Sequence, residues 1–205
     1  MFRTVGRKPI KIALFSDFHV DYDSVPGSSA VCDKPICCRS DSGSPSSPDL
    51  AAGKWGDERC DLPERTMNNM LDYIHKVIQP DAALWGGDSI PHNIDTLNLQ
   101  SNVEIMRNVS AEVRNRVGDI HVYPTLGNHD TYPQDVFKFK APRQNEAINQ
   151  WIDSWDWMAQ HDEEQLKHLK DFGYYSLPLT WPNGTAIGGE HGVTKIISLN
   201  TNFCY

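Results

Sequence analysis

The sequence predicts an α/β fold, and three observations carry the prediction. Three short apolar runs, at residues 10–15, 82–85 and 120–126, have strand length, and each ends in a polar or glycine-bearing turn. Two stretches between them, 63–78 and 100–117, repeat apolar residues at helical spacing. Strand, helix, strand, helix, strand in that order builds parallel β-α-β units. No internal repeat and no linker interrupts the 205 residues, so they are read as one domain.

Taken in order, Ile10-Lys11-Ile12-Ala13-Leu14-Phe15 stops at Ser16-Asp17 and reads as a buried strand. Residues 24–56 are rich in Ser, Pro, Gly and Cys, which makes a long loop. A loop of that length inside a domain calls for a function or a staple, and Cys32, Cys37, Cys38 and Cys60 can staple it in any of three pairings. In 63–78, Met67, Met70, Leu71, Ile74, Val77 and Ile78 share helical spacing, with Pro63 near the start and Pro80 past the end. The second strand, 82–85, runs into Gly86-Gly87-Asp88. Val103, Ile105, Met106, Val109 and Val113 mark the next amphipathic helix. The third strand, 120–126, ends in Gly127-Asn128-His129-Asp130. Helical patterns follow near 144–159 and 162–171, the latter opened by Asp162-Glu163-Glu164, acidic side chains that suit a helix N-terminus. A hairpin is expected last: 174–179, an Asn183-Gly184 turn, and 195–199.

Charge and hydrophobicity exclude two classes. Against 27 acidic residues stand 19 basic ones, a net charge of -8, so no basic surface exists to follow a nucleic-acid backbone. The apolar runs reach about five residues, far short of the ~20 needed to cross a bilayer. Four clustered cysteines together with two sequons, at Asn108 and Asn183, indicate an oxidising, secretory compartment. No leader-like apolar stretch precedes Ile10, and Cys204 lacks a partner by parity; both point to further sequence at the two ends.

The chemistry sits where the strands stop. Asp17-x-His19, Gly87-Asp88 and Gly127-Asn128-His129-Asp130 each follow directly on a strand, and in parallel sheets such loops meet along one edge. Carboxylate, imidazole and amide oxygen converging there can ligate divalent metals, with Asp88 able to serve two ions. Two ions ~3.5–4 Å apart can clamp a phosphoryl group and activate a water. Asp-x-His or Gly-Asp alone is too common to mean much; the three in series are specific. Blander readings suit the rest. His75, His161 and His168 fall on solvated helix faces, and His121 packs on a strand. Trp151, Trp155 and Trp157 are read as core in preference to a lipid-facing wall.

These three motifs resemble the opening motifs of the calcineurin-like metallophosphoesterases, a β-sandwich flanked by helices. Within that family the chain is similar to the acid sphingomyelinase branch, through Asp17-Phe18-His19-Val20-Asp21, Cys32-x4-Cys37-Cys38-Arg39, Trp55-Gly56, Cys60-Asp61-Leu62-Pro63, Gly87-Asp88-x-x-Pro91-His92 and Ser198-Leu199-Asn200-x-Asn202-Phe203-Cys204. The resemblance implies a site of two zinc ions, with Asp17 and His19 on the first, Asp88 bridging, and Asn128 on the second. His92 and His129 would stand by the leaving-group oxygen. Cys32 would pair with Cys37, and Cys38 with Cys60. It further implies hydrolysis of a phosphodiester, foremost sphingomyelin to ceramide and phosphocholine, with membrane contact through the substrate and a lysosomal or extracellular location. A soluble phosphodiester such as a nucleotide is the alternative. The family completes its site with three histidines in Gly-His and Gly-His-x-His motifs that have no match here, since His191 lies before the last strand. The chain is therefore expected to be the N-terminal portion of a catalytic domain, inactive alone, and a non-catalytic truncated glycoprotein is the further alternative.

Overall fold

The computed structural model describes residues 9–138, 146–153, 155, 162–189 and 192–202. In chain order its elements are β1 (Ile12–Phe15), β2 (Val20–Asp21), β3 (Leu62–Pro63), α1 (Glu64–Tyr73), β4 (Ala82–Trp85), α2 (Leu99–Val117), β5 (His121–Pro124), α3 (Glu146–Ile152), α4 (Glu163–Phe172), β6 (Tyr175–Pro178), β7 (Gly188–Gly189), β8 (Gly192–Val193) and β9 (Lys195–Ser198). The main sheet is parallel, in the order β1-β4-β5, with Phe15 opposite Trp85 and Trp85 opposite Pro124. All three strands therefore end level with one another, and that alignment sets the site.

Helix α1 buries Met67 and Leu71, and α2 buries Met106, Val109, Val113 and Val117, in one core with Ala82, Ala83 and Trp85 of β4. Both helices are punctuated by their sequence. α1 gives way to a π-helical turn, Ile74–Ile78, that ends on left-handed Gln79 before Pro80. α2 opens on a capping box in which Asn98 and Ser101 satisfy each other's backbone N–H. Asp162 caps α4 by accepting from the amides of Glu164 and Gln165. Trp155 is a core residue, 1% exposed, with its indole N–H donated to Ser110 Oγ at 3.1 Å and its ring 5.9 Å from that of Trp85. Trp157, His161, His191 and Cys204 lie outside the described residues, as does the Trp151 side chain.

Two expectations need correction. β1 is not buried on both faces: Leu14 is 73% and Ile12 42% exposed, while Phe15 is 5% exposed. It is an edge strand in this sheet and packs only its Phe15 side on the core, whereas central β4 is largely covered. β6 and β9 do pair antiparallel, Tyr175 opposite Ser198, but the Asn183-Gly184 turn does not join them. It closes a smaller loop in which Trp181 N–H donates to the Thr185 carbonyl, and the β7–β8 pair follows before the chain returns. Sixteen residues are too many for one tight turn, so this segment folds on itself. The pair is tied to β5 by Tyr175 Oη donating to the Pro124 carbonyl at 2.6 Å and Tyr123 Oη to the Pro178 carbonyl at 2.9 Å.

The long loop is stapled twice, Cys32–Cys37 and Cys38–Cys60, as the family resemblance implies. Ala30, Cys38 and Ala52 form a small buried cluster of its own. Arg39 grips Asp21, which is 1% exposed, through Nε and Nη2 at 2.9–3.1 Å. That buried pair fastens the loop to the end of β2. No helix among the described residues is long and apolar enough to cross a membrane.

Candidate metal centre

Because β1 and β4 end in register, the segments that follow them leave side by side. They are laced by backbone bonds: Asp17 N–H to the Gly87 carbonyl at 3.0 Å, His19 N–H to that of Asp88 at 3.0 Å, and Val20 N–H to that of Ser89 at 2.9 Å. Phe18, 2% exposed and stacked 5.4 Å from Phe15, roots this turn in the core. Its neighbours Asp17 and His19 then project from the sheet edge. Asp17, His19 and Asp88 all hold positive φ, at 55°, 38° and 54°. Non-glycine residues in that region cost on the order of 1 kcal/mol each, and the lacing offsets it.

The third loop is drawn in by close approach. A Cβ on Gly87, whose φ is +85°, would stand 2.3 Å from the Gly127 nitrogen, so only glycine lets the two loops touch. Asp130 clamps them together. Fully buried, it accepts from Asp88 N–H at 2.8 Å and Gly127 N–H at 2.9 Å through Oδ2, and from Ser89 N–H at 2.9 Å through Oδ1. Burial pushes its carboxyl up to about 6, against the pull of those backbone bonds.

Each side chain at this edge presents a defined atom. The ligand atoms of Asp17, His19 and Asp88 lie within 4.8 Å of one another. His19 Nδ1 is 2.7 Å from the Ile90 carbonyl, which can only accept, so Nδ1 carries the proton and Nε2 keeps a lone pair for a cation. Asn128 donates its amide nitrogen to Asp135 Oδ1 at 2.8 Å, leaving its carbonyl oxygen as the available end. Asp88 Oδ1 accepts from His129 N–H at 2.9 Å, which leaves Oδ2 unengaged. This donor set suits a divalent cation, and its orientation is fixed by partners one step removed.

His92 and His129 stand against His19, with ring centroids 4.1 and 4.7 Å from it and 4.7 Å from each other. The three imidazoles also fall within 4.8 Å by their ring nitrogens. His129 is buried, and burial first, then the neighbouring His19, pushes its pKa down. His92 is half exposed and is held by Asp61, which takes its Nδ1 at 2.7 Å on one oxygen and its backbone N–H at 2.7 Å on the other. A cleft of about 730 Å³ opens from Asp17, His19 and His92 across to Trp55, Arg59 and Asp61 of the stapled loop. The sequon residues Asn108 and Asn183 are exposed, the first on α2 and the second in the turn.

Three participants escaped the sequence reading. Asp130 ends the Gly-Asn-His-Asp motif without a ligand role, Asp61 follows a disulfide cysteine, and Asp135 carries no sequence signal at all.

Comparison with known proteins bears on the whole of this arrangement. Residues 10–199 match the calcineurin-like phosphoesterase family model. The chain is 32% identical to a sphingomyelin phosphodiesterase of Bos taurus over 95% of its own length and 30% of that protein's. Against an acid sphingomyelinase-like phosphodiesterase of Homo sapiens it is 32% identical over 97% of its length and 40% of the relative's. Against a cyclic GMP-AMP phosphodiesterase of Rattus norvegicus it is 31% identical over 83% and 35%. The chain thus spans about 30% of the length of the sphingomyelin phosphodiesterases it matches. With its three strand-end motifs gathered at one sheet edge, it belongs to the calcineurin-like phosphoesterases, a family of metal-dependent phosphoester hydrolases.

Proposed function

We propose that the protein carrying this chain is a zinc-dependent phosphodiesterase that cleaves sphingomyelin to ceramide and phosphocholine. The observation that carries the reading is the convergence of Asp17, His19 and Asp88 within 4.8 Å, beside two further imidazoles. Similarity over 95% of the chain to sphingomyelin phosphodiesterases supports the choice of substrate. Two bound zinc ions would supply positive charge to the phosphoryl oxygens and acidify a water at neutral or acidic pH. Asp17, His19 and Asp88 would hold the first ion, and Asp88 with Asn128 the second.

The remaining work falls to the histidines. His92, half exposed at the cleft, is placed to give a proton to the departing ceramide oxygen. His129, whose pKa burial pushes down, stands 4.7 Å from His92 by ring centroid, with Gln134 Nε2 3.0 Å from its Nε2, close enough to support the same leaving-group chemistry. In this reading residues 1–205 are the N-terminal portion of the catalytic domain. Two disulfides and two exposed sequons support a secretory route, ending in the lysosome or outside the cell.

A second reading, hydrolysis of a soluble nucleotide phosphodiester, is favoured by the similarity to a cyclic GMP-AMP phosphodiesterase. The test is to assay the full-length protein, zinc-loaded, on sphingomyelin vesicles and on a cyclic dinucleotide side by side, with Asp17→Asn as control. Turnover of sphingomyelin that Asp17→Asn abolishes supports the first reading. Turnover of the dinucleotide alone replaces it with the second, and activity unchanged in Asp17→Asn contradicts both.

A further inference from the structure

We propose that Asp61 is a positioning residue whose carboxylate fixes the His92 ring so that Nε2 faces the leaving group. The inference rests on the reading of His92 given above. One carboxylate makes two contacts to the same residue, 2.7 Å to Nδ1 and 2.7 Å to the backbone N–H, so it restrains both the main chain of His92 and the rotation of its ring. A carboxylate can only accept here, so Nδ1–H is committed to Asp61, and the proton His92 gives to the leaving group is the Nε2–H of the imidazolium form, on a ring packed against those of His19 and His129. His92 needs such a partner. Its side chain is 50% exposed and on a stretch without regular structure, whereas that of Asp61 is 9% exposed.

Asp61 is itself held from both sides. Cys60 is bonded to buried Cys38, and Leu62 donates its N–H to the His19 carbonyl at 3.2 Å and pairs with Val20. Arg39, next to Cys38, is clamped to buried Asp21. The stapled loop thereby acquires a purpose beyond closing itself. It delivers Asp61, from the far wall of the cleft, to a fixed point relative to His19.

The test uses the full-length, zinc-loaded protein and two substrates that share phosphocholine. From sphingomyelin the ceramide departs as an alkoxide that needs a proton; from p-nitrophenyl phosphorylcholine nitrophenolate departs without one. Asp61→Asn is expected to lower kcat on sphingomyelin about 10–100-fold with little change in KM, and to leave the nitrophenyl ester nearly untouched. Combined with His92→Ala it should cost no more than His92→Ala alone. Equal losses on the two substrates, or losses that multiply in the double variant, would assign Asp61 a merely structural role and overturn the proposal. If His92→Ala itself loses equally on both, the leaving-group assignment of His92 falls instead, and the proposal falls with it.

Discussion

Replacing Asp130 by alanine gives the sharpest test of how the site is held together. The side chain is 0% exposed and accepts three backbone N–H groups, two on Oδ2 and one on Oδ1, from loops following two different strands. Hydrogen bonds to a charged acceptor contribute about 1.5–3 kcal/mol each, and alanine would leave three donors without a partner. Against this stands the relief of no longer burying a carboxyl that burial has already pushed up to about 6. The net expectation is a loss of about 3–5 kcal/mol, a large share of the ~5–15 kcal/mol of an ordinary domain. Asparagine should cost less, about 1.5–3 kcal/mol. Its one carbonyl oxygen can keep the two bonds now on Oδ2, while its amide nitrogen opposes the Ser89 N–H. Urea unfolding of the full-length protein in a chelator, so that metal does not add to stability, measures both. An alanine variant within about 1 kcal/mol of the parent, or an asparagine variant as costly as alanine, would refute the clamp.

Other consequences follow from the same geometry. Gly87→Ala, with its Cβ driven to 2.3 Å from the Gly127 nitrogen and a φ of +85° to hold, should part the two loops and weaken zinc binding measured by calorimetry; unchanged affinity would contradict the close-approach argument. Replacing Cys38 and Cys60 by serine opens a loop with a sequence separation of 22 residues. The chain-entropy argument puts that at about 3 kcal/mol, readable as a lower urea midpoint, and no shift would mean that the loop is held by its other contacts. Arg39→Ala leaves the Asp21 carboxylate, 1% exposed, without its partner and should destabilise by about 3–5 kcal/mol. A loss below about 1 kcal/mol would show that the pair adds little.

The parallel sheet was legible because its strands are short apolar runs that end in polar motifs, and residues 82–85 gave β4 to the residue. α1 and α2 were legible from period and from their ends, Pro63 and Pro80 for one and the 100–117 stripe for the other. What did not show was which face of β1 would be covered, since Ile12 and Leu14 are as apolar as Phe15 and only sheet order decides exposure. The Asn183-Gly184 signal was real, but a turn signal says where the chain reverses and not which strands it joins. At the site, residues with metal-ligand chemistry stood out by type and placement. Their supports did not, because Asp61, Asp130 and Asp135 act through distances of 2.7–2.9 Å to residues 3 to 42 positions away. An aspartate in a turn looks the same in sequence whether it faces water or a histidine.

Asp17, His19, Asp88 and Asn128 are the proposed metal ligands, and metal content tests them most directly. Full-length protein and its Asp88→Asn and His92→Ala variants are dialysed against zinc and counted by plasma mass spectrometry. Two zinc ions are expected in the parent and in His92→Ala, and loss of both on Asp88→Asn, since Asp88 would serve the two together. Zinc kept by Asp88→Asn but lost from His92→Ala would place the ion among the three clustered imidazoles and contradict the site as drawn.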